Sequence, residues 1–284
     1  MAASKVSVEV GPVSFDSPQD GSVLQSIGLE SVFRVACFLG ETEVVHGSSF
    51  ILNHEVTKDG IKLWCLTNLH VVRGVLDLYH LFSSYLHNGA PEKVITELPA
   101  GLRIHVGEGT IIIESILVPK SEFFKLKFEP HLDFAIFSFT VPADRKTRYF
   151  PIAQKSQIIA GTKAYAIGYP KMMNLAITDG LVSRIYEDGD GDSERAAGAK
   201  IYFWKWGIQH NIFINPGNSG GPTLNEFGKV IGIATYGYSD GLEFSLNARS
   251  ILNHINDPLN LEEIFIPSVV KMLALRAIES ARYG

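Results

Sequence analysis

The chain has 284 residues, 46% of them hydrophobic and 19% charged, with a formal net charge of −5. That length supports one large domain or two modest ones with a well-buried core, and the composition is too apolar for disorder. Lysines and arginines are scattered rather than massed, which argues against a nucleic-acid binder.

The N-terminal "MAASKVSVEVGPVSFD" has no continuous apolar core of signal-peptide length. No segment offers the roughly 18 consecutive apolar residues of a membrane span. A cytoplasmic, reduced protein without a membrane partner is therefore expected. Cys37 and Cys65 form neither a disulfide framework nor a zinc pattern, though a single bridge between them stays open. Residues 1–30 read as an N-terminal arm in which Phe15 is the one aromatic contact.

From residue 31 onward the chain reads mostly as short strands. "SVFRVACFLG", "GSSFIL", "IKLWCLTN", "LRIHVGEGTIIIESILV" and "DFAIFSF" come first. "TKAYAIGYP", "LAITDGLVSRIY", "AKIYFWKWGIQHNIFIN", "KVIGIATYG" and "LEFSLN" follow. All are rich in β-branched and aromatic residues and are separated by polar or Gly/Pro punctuation, which predicts an all-β sandwich or pair of barrels. The Pro-containing segment 139–154 is the best linker between two halves.

Two stretches read as helices. Residues 75–89 place Leu78, Leu81, Phe82 and Tyr85 near helical spacing before Gly89. Residues 260–284 carry Pro267 as a first-turn residue, with Val270, Leu273, Ala274 and Ala277 on one face. The second is predicted to pack on a barrel as a terminal helix.

The segment "FINPGNSGGPTLNEFGKVIGIATYG" interrupts two good strands with Gly217, Asn218, Ser219, Gly220 and Gly221. Small residues at this density make a tight turn or let a backbone approach something closely. If Ser219 is a nucleophile, its hydroxyl needs an imidazole within hydrogen-bond reach and a carboxylate to orient that ring. Among nine histidines, His70 stands where the apolar strand "LWCLTN" ends and the chain turns. Asp133 opens the apolar strand of "HLDFAIFSF", a costly place for a carboxylate unless it is paired.

"GSSFIL", "LTNLHVVRG", "DFAIF", "AYAIGYP", "ITDGLVSRI", "INPGNSGGPTLNEFGKVIGI" and "LEFSLN" occur in the order found in trypsin-like serine peptidases, and the chain most resembles their HtrA/Deg branch over about residues 31–250. The resemblance implies two six-stranded antiparallel β-barrels with a cleft between them. It assigns residues 31–145 to a first barrel carrying His70 and Asp133, 146–256 to a second carrying Ser219, and 257–284 to the C-terminal helix. It implies a Ser-His-Asp endopeptidase acting on peptides or unfolded proteins, with the N–H groups of Gly217 and Ser219 as the oxyanion hole. Thr235 would support Asp133 through its hydroxyl. The backbone of Thr235, Tyr236 and Gly237 would pair with an extended substrate. No metal or organic cofactor is implied.

A peptide-holding module with an idle triad and a self-processing protease are the alternatives. Oligomeric state is not readable. The stretch between His70 and Asp133 is longer than the family pattern. The acidic "EDGDGDSERAAGAK", residues 187–200, resembles a calcium loop without its terminal glutamate and reads better as a solvated hairpin. Too few residues follow Leu246 for the PDZ domain common in HtrA proteins, which needs at least about 50. Phe213 is expected near the base of the primary specificity pocket, making it shallow and apolar. Glu243 stands where the family usually has Gly or Ser; it would attract a basic side chain or plug the pocket. An aliphatic preference is the expectation.

Overall fold

The computed structural model describes residues 10–125, 132–186, 207–238 and 242–283. Strand β1 (Val10–Pro12) and helix α1 (Gly21–Ser31) lead into β2 (Val32–Leu39), β3 (Thr42–Thr57) and β4 (Gly60–Thr67). Three helices follow: α2 (Leu69–Arg73), α3 (Leu78–His87) and α4 (Glu92–Glu97). Strands β5 (Ala100–Val106), β6 (Gly109–Ile113), β7 (Ser115–Pro119) and β8 (Ala135–Val141) complete the first half. After β9 (Thr147–Tyr149) come β10 (Lys163–Gly168), β11 (Ala176–Ile185), β12 (Gly207–His210), β13 (Pro222–Asn225), β14 (Val230–Tyr238) and β15 (Leu242–Asn247). Helix α5 (Ala248–Ile255), strand β16 (Leu261–Phe265) and helix α6 (Ile266–Tyr283) close the chain.

Alternation drives the strands. In β4, Ile61, Leu63 and Cys65 enter the core, while Lys62 and Trp64 share the opposite face, the ammonium 4.5 Å from the ring centroid. The second half is a closed six-stranded barrel in the order β10-β11-β12-β15-β14-β13. The first half is a sheet ordered β16-β7-β8-β4-β3-β2-β5-β6. Only Glu114 separates β6 from β7, yet β6 pairs with β5 and β7 with β8. That bent segment lets the sheet curl into a half-barrel, with β16 added at its edge. The mostly β, two-part architecture with a C-terminal helix agrees with the sequence expectation, the first half being an eight-stranded half-barrel sheet beside the closed six-stranded barrel.

Several elements differ from the sequence reading, each for a local reason. The supposed arm contains α1, capped by Asp20, whose carboxylate accepts from the Ser22 and Val23 backbone N–H groups at 2.8 and 3.1 Å. Leu24 and Ile27 of α1 are buried in the core that joins the halves, together with Phe50, Phe134, Phe150, Tyr165 and Ile233. Helix α4 forms inside the long His70–Asp133 interval, where the sequence reading placed no element after residue 89, and buries only Ile95. Residues 261–265 are strand rather than helix, because β7 offers them an open edge. Helix α6 then starts at Ile266 and buries Val269, Leu273, Ala274 and Ala277 against the first half. The linker candidate is packed rather than loose, with Tyr149 and Phe150 buried and β9 pairing in parallel with β1. Cys37 and Cys65 are buried free thiols. No helix among the described residues is long and apolar enough to cross a membrane. Residues 187–200, including the calcium-like motif, lie outside the described residues.

Candidate active site

His70 sits in the first turn of α2, the short helix that follows β4. Its ring Nδ1 lies 2.7 Å from Asp133 Oδ2, and its backbone N–H donates to Asp133 Oδ1 at 2.9 Å. Both oxygens of this fully buried carboxylate are therefore satisfied by one residue. The imidazole keeps 31% of its side-chain surface exposed. Burial pulls its pKa down, but the charge of Asp133 and the hydrogen bond to it push up by more, so the net shift is upward.

Asn68, a residue the sequence reading did not single out, ties the pair to the other half. Its Nδ2 donates to the Asp133 carbonyl at 2.9 Å and to Thr235 Oγ1 at 3.1 Å. Thr235 donates onward to the Ile233 carbonyl at 2.8 Å. Thr235 thus reaches Asp133 through the Asn68 amide and not by its own hydroxyl, because its one proton is already committed. A buried asparagine directly before a helix, in "TNLH", is the signal that could have found it.

Ser219 follows a turn made by Asn215, Pro216, Gly217 and Asn218. The Asn218 N–H donates to the Asn215 carbonyl at 2.9 Å, and Gly217 has φ +100°. Proline at the second position and positive φ at the third define a type II turn, which is why the dipeptide is Pro-Gly. The Lys171 N–H holds the Pro216 carbonyl at 2.8 Å, and Ser48 Oγ holds the Gly217 carbonyl at 2.7 Å. In a trans peptide the Gly217 N–H points away from the pinned Pro216 carbonyl. Neither this N–H nor that of Ser219 has an acceptor among the described residues. Ser219 Oγ donates to the Thr235 carbonyl at 3.4 Å.

The second turn glycine, Gly220 at φ +89°, explains how the two halves meet. A Cβ there would lie 2.0 Å from the Ser48 carbonyl and 3.1 Å from the Asn68 nitrogen. Only a residue without a side chain brings Ser219 against the chain segment that carries His70. The Ser48 N–H donates to the Ser219 carbonyl at 2.7 Å and secures the contact.

Past Ala234, no strand among the described residues pairs with β14 on the β13 side, which leaves the backbone edge of Thr235, Tyr236 and Gly237 without a ladder partner beside Ser219. Glu243 is the register partner of Gly237 on β15 and is 3% exposed. Phe213, expected at the base of the primary pocket, is 62% exposed, while its carbonyl accepts from Thr178 Oγ1 at 3.1 Å.

The described fold and motifs match known proteins. Residues 47–233 match the family model for the trypsin-like peptidase domain. The chain is 34% identical over 129 residues to protease Do-like 1, chloroplastic, of Arabidopsis thaliana, a match covering 44% of this chain and 28% of that protein. It is 27% identical over 245 residues to the serine protease Do-like HtrA of Bacillus subtilis, covering 84% of this chain and 45% of the other. The solved structure of the HtrA-type protease AlgW with a tripeptide superposes with a TM-score of 0.54 at 19% identity, over 84% of this chain and 63% of that one. The matched segments thus span less than half the length of these two curated relatives.

Proposed function

Because the chain belongs to the trypsin-like peptidase family, we propose that it is a serine endopeptidase cutting extended segments of peptides or unfolded proteins. One observation that supports this reading is the His70 ring held by the buried Asp133 carboxylate. The other, on the segment that Gly220 lets approach Ser48 and Asn68, is a serine in a turn whose Gly217 and Ser219 N–H groups have no acceptor among the described residues.

Ser219 Oγ attacks the scissile carbonyl as His70 Nε2 accepts its proton. Asp133 keeps the proton on Nδ1, so that Nε2 is the basic nitrogen, and it stabilises the imidazolium that forms. Negative charge on the carbonyl oxygen is met by the Gly217 and Ser219 N–H groups, each worth about 3 kcal/mol in reactions of this kind. Their direction costs nothing at the moment of reaction, because Pro216 and the Lys171 N–H already orient the peptide plane. His70 then gives its proton to the leaving amine, water repeats the sequence on the acyl-enzyme, and Ser219 is regenerated. The free edge of β14 at Thr235–Gly237 would hold the substrate as an added strand, which selects unfolded over folded chains.

A fluorophosphonate probe tests the reading. Labelling at Ser219 in the wild type, with cleavage of casein, and loss of both in Ser219→Ala supports it. Wild-type protein that neither labels nor cleaves overturns it.

A further inference from the structure

Glu243 is a buried carboxylate that the proposed chemistry does not use. The Ile214 backbone N–H reaches the carboxylate, but Oε2 is buried with no hydrogen-bond partner. No cation pairs with it among the described residues. Its head lies directly over Gly237: a Cβ on that glycine would sit 2.3 Å from Oε2. Gly237 itself is exposed, so the carboxylate lies just beneath an open stretch of the β14 edge.

Three segments therefore meet at this carboxylate. The irregular segment leading to Ser219 supplies the Ile214 N–H, the β14 edge supplies Gly237, and β15 supplies Glu243 itself. A substrate extended along β14, with its scissile carbonyl at Ser219, sends the side chain preceding that bond between the first two. The aromatic ring expected to close this space, Phe213, points to solvent.

A buried acceptor without a donor is costly, and a buried charge without a counter-charge more so. The described residues supply no such partner here, while the exposed Gly237 above the carboxylate lies on the edge proposed to pair with substrate. Resting on the endopeptidase reading above, we propose that Glu243 is the specificity-determining residue of the primary pocket and selects a lysine or arginine before the cleaved bond. The aliphatic preference expected from sequence is thereby replaced.

Burial pushes the Glu243 carboxyl up to about 7, with the Ile214 N–H opposing it. The side chain across the register on β12 is His210, which burial holds neutral with a pKa of about 4 and which bonds Ser245 Oγ at 2.8 Å through Nε2. On the β14 side Gly237 brings no side chain, and Ile214 is apolar. The preference for a basic residue should accordingly strengthen as pH rises through neutrality and Glu243 ionises.

The experiment pairs two peptides that differ only before the scissile bond, Arg in one and Leu in the other, with benzamidine binding by calorimetry at pH 8. In the wild type, kcat/KM should favour the Arg peptide by about 100-fold, and Glu243→Gln should reduce that ratio to near unity or below. Glu243→Gly, the residue type usual in the family, should favour the Leu peptide. Benzamidine should bind the wild type and lose at least about tenfold in affinity in Glu243→Gln. A wild-type preference for Leu, or a ratio that Glu243→Gln leaves unchanged, overturns the proposal while leaving the endopeptidase reading intact. If neither peptide is cut, the endopeptidase reading fails, and benzamidine then decides the pocket. Binding sensitive to Glu243 supports the pocket assignment, and absence of binding overturns it.

Discussion

The two halves of the molecule each bury a carboxylate, and they treat it in opposite ways. Asp133 in the first half is fully buried and both its oxygens meet donors from His70. Glu243 in the second is 3% exposed and keeps an oxygen without a partner among the described residues. A side chain serving a fixed internal role has its partners built into the chain, so burial is tolerated and geometry is locked. A carboxylate left half-satisfied fits a site whose remaining partner arrives with the substrate. The contrast extends to the neighbours. The first side positions side chains through a short helix and the Asn68 amide, whereas the second works mainly through backbone, in the Pro-Gly turn and the free β14 edge.

Breaking the fully satisfied side should have the largest effect. Asp133→Asn should lower kcat/KM by about four orders of magnitude, since an amide donates where the ring needs an acceptor. Steady-state kinetics checks this, and a loss under tenfold would mean that Asp133 does not orient the base.

Gly217→Ala tests the backbone side. Its Cβ would lie 2.3 Å from the Tyr169 carbonyl in a conformation unfavourable to any other residue. The turn must move, and if the Gly217 N–H is the oxyanion donor proposed above, its loss should cost about 100- to 1,000-fold in kcat. Folding of the variant is checked separately by thermal unfolding.

The pH profile sharpens the comparison. The proposed mechanism needs neutral His70, whose pKa is raised above its ordinary 6.5. Activity should therefore climb with pH through a midpoint above that value and fall about tenfold per unit below it. In Asp133→Asn the raising charge is gone while burial remains, so the midpoint of the residual activity should move to lower pH. An unmoved midpoint would show that another group controls the limb.

Two smaller effects complete the series. Asn68→Ala strands Thr235 Oγ1 and the Asp133 carbonyl, so unfolding by denaturant should show a loss of about 1–3 kcal/mol, with kcat reduced about tenfold. Pro216→Ala frees the second position of the turn. At about 0.4–1 kcal/mol of lost restriction, kcat/KM should drop only two- to fivefold. A larger drop would make Pro216 more than a conformational bias.

Much of this protein was legible in order and composition alone. Alternating β-branched runs predict the strands, because pleat periodicity is written residue by residue. The serine turn carries its own geometry, since Pro-Gly specifies a type II turn without tertiary help. His70 and Asp133 stand out as polar residues at the ends of apolar strands. Helices α1 and α4 were missed because few of their residues are buried, so their apolar periodicity is faint, and β16 because an edge strand takes its partner from elsewhere in the chain.

What only the tertiary structure decided is who meets whom. Asn68 bridges the halves, Gly220 permits their contact, Phe213 turns outward and Glu243 lies under Gly237, all relations across long sequence separations. Local propensity encodes which conformations a segment favours. The partners of a buried polar atom are chosen by packing, where an unmatched donor or acceptor costs more than any local preference can offset.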